Sequence, residues 1–396
     1  MEAHFLEWLQ LFSRWLHVLA GAAWIGTSFY FTWLNHSLRP PERERPGVAG
    51  ELWAVHGGGF YVVEKYGVAP ERLPSRLHWF KWEAYTTWGA GMALLVLVYY
   101  LGTGYLRDPT RITIDQPSAA GIGIGAIVVG WFVYDRLCRS PLGRNPIALA
   151  VTLVVFATAV AWGLAQVLSA RAALIHTGAM LGTWMAANVF FVIIPGQRAM
   201  VAAMTEGREP DAERGRQGAM RSLHNNYMTL PVLFTMVGIH YPVAYATPRA
   251  WAILAVVFLV GIAVRVYYNQ AHAGRRRPWL LPAGALGLVA LVVATTPRSE
   301  PEGAAPSAGR PGSSYPVIRA IVDARCVPCH SAAPTWPTVS SPPLGVVLET
   351  DADLSAQTER VRRVLETGTM PLGNVTGMAP EERALVLDWI AEGALR

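Results

Sequence analysis

Two cysteines and a histidine near the C-terminus have the types and spacing of a covalent haem site. Cys326, Cys329 and His330 form a Cys-x-x-Cys-His motif, in which two thiols can bond to the two vinyl groups of one haem while the adjacent imidazole binds the iron. A zinc site would need two further ligands, and the chain after residue 314 has no other Cys or His. A thioredoxin-like dithiol would need a βαβ pattern, which is absent. The motif therefore predicts a c-type cytochrome with one haem.

The residues around this motif predict a small helical domain. Apolar periodicity and terminal Pro or Gly residues indicate helices near 316–325, 355–367 and 380–395. The intervening Gly-Thr-Met370-Pro segment resembles the loop that carries the second axial ligand in class I cytochromes c, so Met370 is the predicted sixth ligand and Met378 is its competitor. Ligation by His and Met raises the haem potential, which suits an electron acceptor.

The rest of the chain has the composition of a membrane protein. Of its 396 residues, 52% are hydrophobic and 15% are charged, whereas soluble domains carry about 25% charged residues. Apolar runs long enough to cross a bilayer predict about eight spans, with a cleaved signal peptide as the alternative for the first. The predicted spans are 9–34, 82–105, 119–138, 147–168, 172–195, 224–246, 250–268 and 279–296. Cys138 ends one of these runs and is interpreted as a small buried hydrophobe.

The distribution of Arg and Lys predicts the orientation. Basic residues concentrate in the loops after spans 1, 3, 5 and 7, which places those loops in the cytoplasm and both termini outside. Residues 297–314 are rich in Pro, Gly, Ala and Ser and predict a linker. We therefore predict an all-α protein with a polytopic bundle over 1–296, a flexible linker over 297–314 and a periplasmic class I cytochrome c domain over 315–396. The expected location is a bacterial inner membrane, with the lipid bilayer as a partner and no nucleic acid.

Several histidines fall inside or at the ends of the predicted spans. An ionisable residue in a membrane segment is a functional candidate by default. His17 and His176 enter their spans from the predicted outer side, where two facing imidazoles could hold a haem b, and His240 could substitute for either. The simpler interpretation is that each histidine hydrogen-bonds a neighbouring helix.

The predicted first cytoplasmic loop has an unusual composition. His56 is followed by three glycines, which let a backbone come close to a ligand, and then by Phe60 and Tyr61, whose rings could stack on a planar molecule. The same stretch contains the two lysines of the chain, Lys65 and Lys81. The alternative is a flexible interfacial loop with snorkelling side chains.

Three segments resemble a known family. Residues 51–61 (ELWAVHGGGFY), 77–85 (LHWFKWEAY) and 222–231 (SLHNNYMTLP) are similar to the bacterial membrane-bound, cytochrome c-fused urate oxidase (urate hydroxylase) family. The order of parts is also similar, with a membrane region, a linker and a haem c domain. The resemblance implies oxidation of urate to 5-hydroxyisourate, with electrons passing through haem c to a respiratory acceptor.

With urate as the implied substrate, the composition of the predicted loop and the charge topology suggest roles for residues in and near these segments. Catalysis is predicted for His56, His78 or Glu83, any of which could act as the base, together with Lys81. Substrate contacts are predicted for Phe60, Tyr61, Lys65 and His224. Two rivals remain, a quinol-linked membrane cytochrome without urate chemistry and a copper- or solute-handling membrane protein with a haem c redox tail.

Overall fold

The structure is a computed structural model. It describes residues 2–67, 70, 73–102, 106–108, 112–245, 247, 249–272, 274–275, 277–296, 314–336, 339, 342–366, 368 and 370–394. The predicted linker therefore lies outside the described residues except for Ser314.

Long helices occupy each region where a span is predicted. Helix α1 covers Glu2–Ser37, α2 covers Trp82–Leu95 and continues as a π-helical turn over Val96–Tyr100, and α3 covers Gln116–Arg139. Helix α4 covers Pro146–Val167, and α5 (Ala170–Ala187) passes through a π-helical segment (Asn188–Ile193) into α6 (Ile194–Thr205). The last three are α7 (Ala212–Gly238), α8 (Ala250–His272) and α9 (Leu280–Thr295). The starts of α3 and α4 follow from local sequence, because Asp115 and Asn145 cap them and a Pro stands in each first turn.

The described residues contain four helices that are long and apolar enough to cross a membrane. They cover Gln116–Arg139, Pro146–Val167, Ala170–Thr205 and Ala250–Ala271, and Leu280–Thr295 is a shorter apolar helix. The chain is thus consistent with a multi-pass membrane protein. Of the four, Ala170–Thr205 is the most enclosed by other helices, and it lies against both α3 and α7.

Glycines allow these helices to pack closely around the helix that contains α5. A side chain at Gly123 would collide with the His176 ring, and one at Gly130 would collide with Met180. Small residues at such crossings are typical of membrane bundles, where tight backbone approach replaces the hydrophobic driving force.

The prediction of an all-α fold is wrong at one place, because the Gly-rich stretch forms a β-hairpin. Strands β1 (Val48–His56) and β2 (Gly59–Tyr66) pair antiparallel. Gly57 and Gly58 both have positive φ, as the tight turns that join such strands require. The β-branched and aromatic residues on either side favour strands over an irregular loop. Arg45 bridges the carboxylates of Glu51 and Glu64 at the base of the hairpin.

The C-terminal part is helical and has its own apolar core. Helices α10 (Tyr315–Arg325), α11 (Asp351–Ala356), α12 (Thr358–Glu366) and α13 (Pro380–Ala391) surround buried residues that include Ile318, Trp389 and Met378. The helix predicted over 355–367 is two helices, because Gln357 interrupts it. The helices α10 and α13 are joined by Arg325, which donates hydrogen bonds to the Glu382 carboxylate and to the Thr376 carbonyl oxygen.

Candidate active site

A cavity of about 300 Å³ opens where α1, α2, α5, α6 and α7 meet. This volume is at the lower end of the range for small-molecule sites. Its described lining combines rings, hydrogen-bonding side chains and a few aliphatic residues. The rings are Trp24, Phe31, His78, Trp79 and Phe80; the polar residues are Thr27, Ser28, Thr32, Asn35, Glu83, Gln197, Ser222, Asn225 and Thr229; the apolar residues are Ile25, Met185, Val189 and Ile193. A planar, polar molecule matches this lining.

The structure places two of the predicted catalytic residues in this lining. His78 and Glu83 lie on either side of the start of α2, and both face the cavity. The His78 ring packs edge-on against Phe80 at 4.5 Å between centroids, and Phe80 packs in the same way against Phe31 at 4.9 Å. Lys81 is close in sequence but is not part of the described lining, and its ammonium lies 5.3 Å from the ring centroid of Trp82.

The hairpin residues predicted to act on or bind a substrate lie outside the cavity lining. His56, Phe60 and Tyr61 are exposed at the hairpin tip, with 79% of Phe60 accessible. Lys65 reaches the edge of the cavity, because its ammonium donates a hydrogen bond of 2.8 Å to Oδ1 of Asn35. The hairpin is therefore attached at the rim of the cavity, and its tip is exposed.

Behind one wall of the cavity lies a buried polar network. Asn225 faces the cavity and accepts a hydrogen bond of 2.9 Å from Nδ2 of Asn188, which also donates to the Tyr134 hydroxyl at 2.8 Å. Arg221 donates to Asn188 Oδ1 at 3.2 Å and to the Asp135 carboxylate at 2.6 Å. The network ties α3 and α7 to the π-helical segment between α5 and α6, and it fixes the orientation of the Asn225 amide.

The predicted substrate residue His224 belongs to this network and is not part of the described cavity lining. Its Nδ1 lies 2.9 Å from the Tyr134 hydroxyl and 3.8 Å from Cys138 Sγ. Tyr134 stacks on Trp184 with ring centroids 4.7 Å apart. Cys138 is buried, as predicted.

A second polar cluster lies behind the wall formed by α1. Thr32 faces the cavity and accepts a hydrogen bond of 3.3 Å from Nδ2 of Asn226. Oδ1 of Asn226 accepts from Arg265 Nε at 2.9 Å and from Asn269 Nδ2 at 3.1 Å. The Arg265 guanidinium lies 3.9 Å from the ring centroid of Phe29.

The three histidines considered for haem b have separate surroundings. Nδ1 of His176 bonds the Ala172 carbonyl oxygen at 2.7 Å, and its Nε2 lies 3.0 Å from the Tyr100 hydroxyl. A haem could bind this ring only by displacing Tyr100 and the tightly packed Gly123 backbone, so His176 does not fit a haem b as it is arranged. His17 bonds the Thr87 carbonyl oxygen at 2.8 Å, and His240 is exposed. The haem b site stays a prediction, and no step below uses it.

The donor set in the C-terminal part fits a covalently bound haem. His330 Nδ1–H donates to the Val346 carbonyl oxygen at 3.0 Å, which leaves Nε2 as the nitrogen able to bind iron. Cys326 and Cys329 are free thiols within one turn of chain. Burial raises the pKa of Cys326 to about 11 and also raises the pKa of Cys329. Among the residues that the structure describes, no three His, Cys, Asp or Glu side chains are grouped as a metal site.

The two candidates for the second axial ligand differ in their surroundings. Met378 is buried in the apolar core, and its backbone N–H donates to Asn374 Oδ1. Met370 is half-buried, and its carbonyl oxygen accepts a hydrogen bond of 2.8 Å from Arg383. Thr369, which precedes Met370, lies outside the described residues. The assignment of Met370 stays a prediction.

Comparison with known protein families adds the identity of the membrane region. The urate oxidase N-terminal family matches residues 3–296. The chain belongs to the urate oxidase N-terminal family. No curated protein and no solved structure matches the chain. Every described residue of the cavity lining falls within the part of the chain that matches the urate oxidase N-terminal family.

Several site residues were missed from the sequence. Asn188, Gln197 and Asn225 interrupt or end apolar runs, and such polar residues inside spans are a usable signal. Arg265 also lies within a predicted span. The signal was weaker than that of the Gly-rich stretch, because an isolated amide in a span also occurs as a contact between helices.

Proposed function

We propose that the chain oxidises urate to 5-hydroxyisourate in the cavity between α1, α2, α5, α6 and α7. The observation that carries the proposal is a cavity of purine size that combines rings, amides and the His78–Glu83 pair within the region of the family match. The urate monoanion and one water give 5-hydroxyisourate, one proton and two electrons. Membership of the family supports urate as the substrate.

The residues of the lining suit this chemistry. Rings such as Phe31 and Phe80 can lie against the faces of a purine. The amides of Gln197 and Asn225 can pair with its carbonyl and N–H groups, as buried polar groups of a substrate require. Glu83 and His78 are the groups in the described lining that can accept the proton released when water adds to the ring.

The C-terminal part would take up the electrons. Cys326 and Cys329 would hold the haem covalently, and His330 and Met370 would bind its iron; when bound, this group accepts electrons one at a time. In the predicted orientation the cavity lies at the cytoplasmic ends of the helices, and residues 315–396 lie on the periplasmic side. A periplasmic cytochrome or terminal oxidase is the proposed final acceptor.

Anaerobic reduction of the haem by urate tests this function. Urate added to oxidised membranes that contain the full chain should produce the reduced haem c band. Glu83→Gln should lower the rate of reduction by about 10²-fold or more, the usual contribution of a general base, while the haem content stays unchanged. Glu206→Gln is the matched control, because Glu206 is exposed and outside the described lining. No reduction in the unmodified protein, or reduction by quinol only, would contradict the proposal.

A further inference from the structure

Arg265 is a buried cation without a carboxylate partner among the described residues. Only 8% of it is exposed. Its guanidinium donates to two neutral amide oxygens, Asn226 Oδ1 at 2.9 Å and Asn269 Oδ1 at 3.4 Å, and lies over the Phe29 ring. Arg221 is the comparison within the same bundle: it is also buried, but the Asp135 carboxylate is 2.6 Å away.

An uncompensated buried charge is unusual. Removing a cation from water has a large cost that a neutral amide oxygen or an aromatic face offsets only in part. Ionisable residues inside membrane bundles therefore mark binding sites or ion paths more often than structural contacts. The described residues around Arg265 include no anion that would balance it, and a bound ligand can supply one.

Hydrogen bonds connect Arg265 to the cavity wall. Asn226, which accepts from Arg265, donates through Nδ2 to Thr32 on the cavity wall. The described lining contains the Glu83 carboxylate but neither Lys nor Arg. An anion in the cavity would therefore meet a like charge at Glu83. Lys65 can offset that charge only at the rim, where it bonds Asn35, and Arg265 is the buried cation that is joined to the wall.

We propose that Arg265 supplies the positive charge that selects an anionic substrate in this cavity. It acts as a positioning residue through Asn226 and Thr32. The inference rests on the proposed function, because urate is largely a monoanion at neutral pH, and it adds that the site prefers the anion to a neutral purine. The expected contribution is about tenfold in Kd, or about 1.4 kcal/mol.

The test measures the equilibrium binding of urate to the full-length protein in detergent, reduced beforehand so that no turnover occurs. Arg265→Gln removes the charge, and Arg265→Lys keeps it. Asn226→Asp keeps the volume and neutralises Arg265 by placing a carboxylate beside it. Arg277→Gln is the matched control, because it removes an exposed Arg from the loop after α8.

The proposal predicts that Arg265→Gln and Asn226→Asp each weaken urate binding about tenfold, whereas Arg265→Lys and Arg277→Gln bind nearly as tightly as the unmodified protein. A purely structural Arg265 predicts the opposite for Asn226→Asp, which would gain an ion pair and keep its affinity. If Arg265→Gln does not fold, Asn226→Asp decides by itself.

Two results would overturn the proposal. One is unchanged urate affinity in Asn226→Asp. The other is unchanged urate affinity in Arg265→Gln. If that variant also loses co-purifying anionic phospholipid, Arg265 binds a lipid headgroup instead. A complete absence of urate binding by the unmodified protein would instead refute the proposed function, so the two failures can be distinguished.

Discussion

Removing the carboxylate of Asp135 should destabilise the bundle far more than an exposed substitution. Asp135 has two arginine partners: Arg221, which is 2% exposed and 2.6 Å away, and the exposed Arg139 at 2.7 Å. The exposed pair contributes about 0–0.5 kcal/mol. Breaking the buried pair leaves Arg221 without a counter-charge, which costs about 3–5 kcal/mol. Because Asn can still accept one hydrogen bond, we expect Asp135→Asn to cost about 3 kcal/mol.

Removing the other partner of this ion pair should destabilise the protein less, and this difference makes a double-mutant cycle informative. In Arg221→Met the Asp135 carboxylate keeps Arg139 and partial exposure to solvent, so we expect a cost of about 1–2 kcal/mol, mainly for the hydrogen bond lost by Asn188. The double variant leaves no unpartnered buried charge at this pair of positions and should be more stable than Asp135→Asn alone. The assay is the unfolding midpoint of the purified full-length protein during titration with SDS in mixed micelles.

Arg139→Gln is the control, because it removes the exposed partner only and should leave the midpoint close to that of the unmodified protein. An Asp135→Asn variant as stable as the unmodified protein would refute the reasoning. So would a double variant that is less stable than Asp135→Asn, because the buried charge would then not be the origin of the cost.

Three further predictions concern the C-terminal part and the hairpin. Met370→Ala should abolish the Met–iron charge-transfer band in the absorption spectrum of the oxidised haem. Met378→Ala should retain that band and lower the free energy of unfolding by about 2–5 kcal/mol, because Met378 lies in the apolar core. The opposite spectra would make Met378 the ligand. Burial tends to raise the pKa of Glu382, but hydrogen bonds from Arg325 and from a backbone N–H outweigh it and lower this pKa overall. The stabilising effect of the Glu382 carboxylate is therefore complete above the unfolded-state pKa of about 4.3 and is lost as the pH falls through the folded-state pKa. In thermal melts followed at the haem, the melting temperature of Glu382→Gln should therefore fall less at acid pH than that of the unmodified protein. Phe60→Ala should change the KM for urate less than twofold in steady-state assays, because the ring is 79% exposed and outside the described lining; a tenfold rise would show that the hairpin tip closes over the cavity.

Features carried by consecutive residues could be predicted from the sequence. The Cys326-x-x-Cys329-His330 motif occupies five consecutive positions, so it can be recognised without the fold. The haem that it indicates stays a prediction. Helices occupy the regions where apolar runs predict spans, because a run of that length has no other way to satisfy its backbone groups in a bilayer. The hairpin was missed because three glycines suggested an open loop, whereas alternation of apolar residues on both sides favours paired strands.

The cavity is a different case, because residues far apart in sequence form its walls. His78 and Glu83 were identified from a local segment, but their partners Gln197 and Asn225 come from other helices. The sequence also suggested the two lysines as the cations of the site. Neither of them lies in the described lining, because Lys65 bonds Asn35 at the rim and Lys81 lies beside Trp82.

By itself, the sequence determined the class of protein: a helical region with runs long and apolar enough to cross a membrane, which belongs to the urate oxidase N-terminal family, followed by a Cys-x-x-Cys-His motif. Tertiary structure alone decided which polar groups share a cavity and which buried charges are paired. Arg221 and Arg265 look alike in sequence, since each is a single cation near or within an apolar run. Only packing shows that Arg221 has Asp135 as a partner and that Arg265 has two amides and an aromatic ring. The physical reason is that helical periodicity sets the direction of a side chain, whereas the helix opposite it is set by the whole bundle.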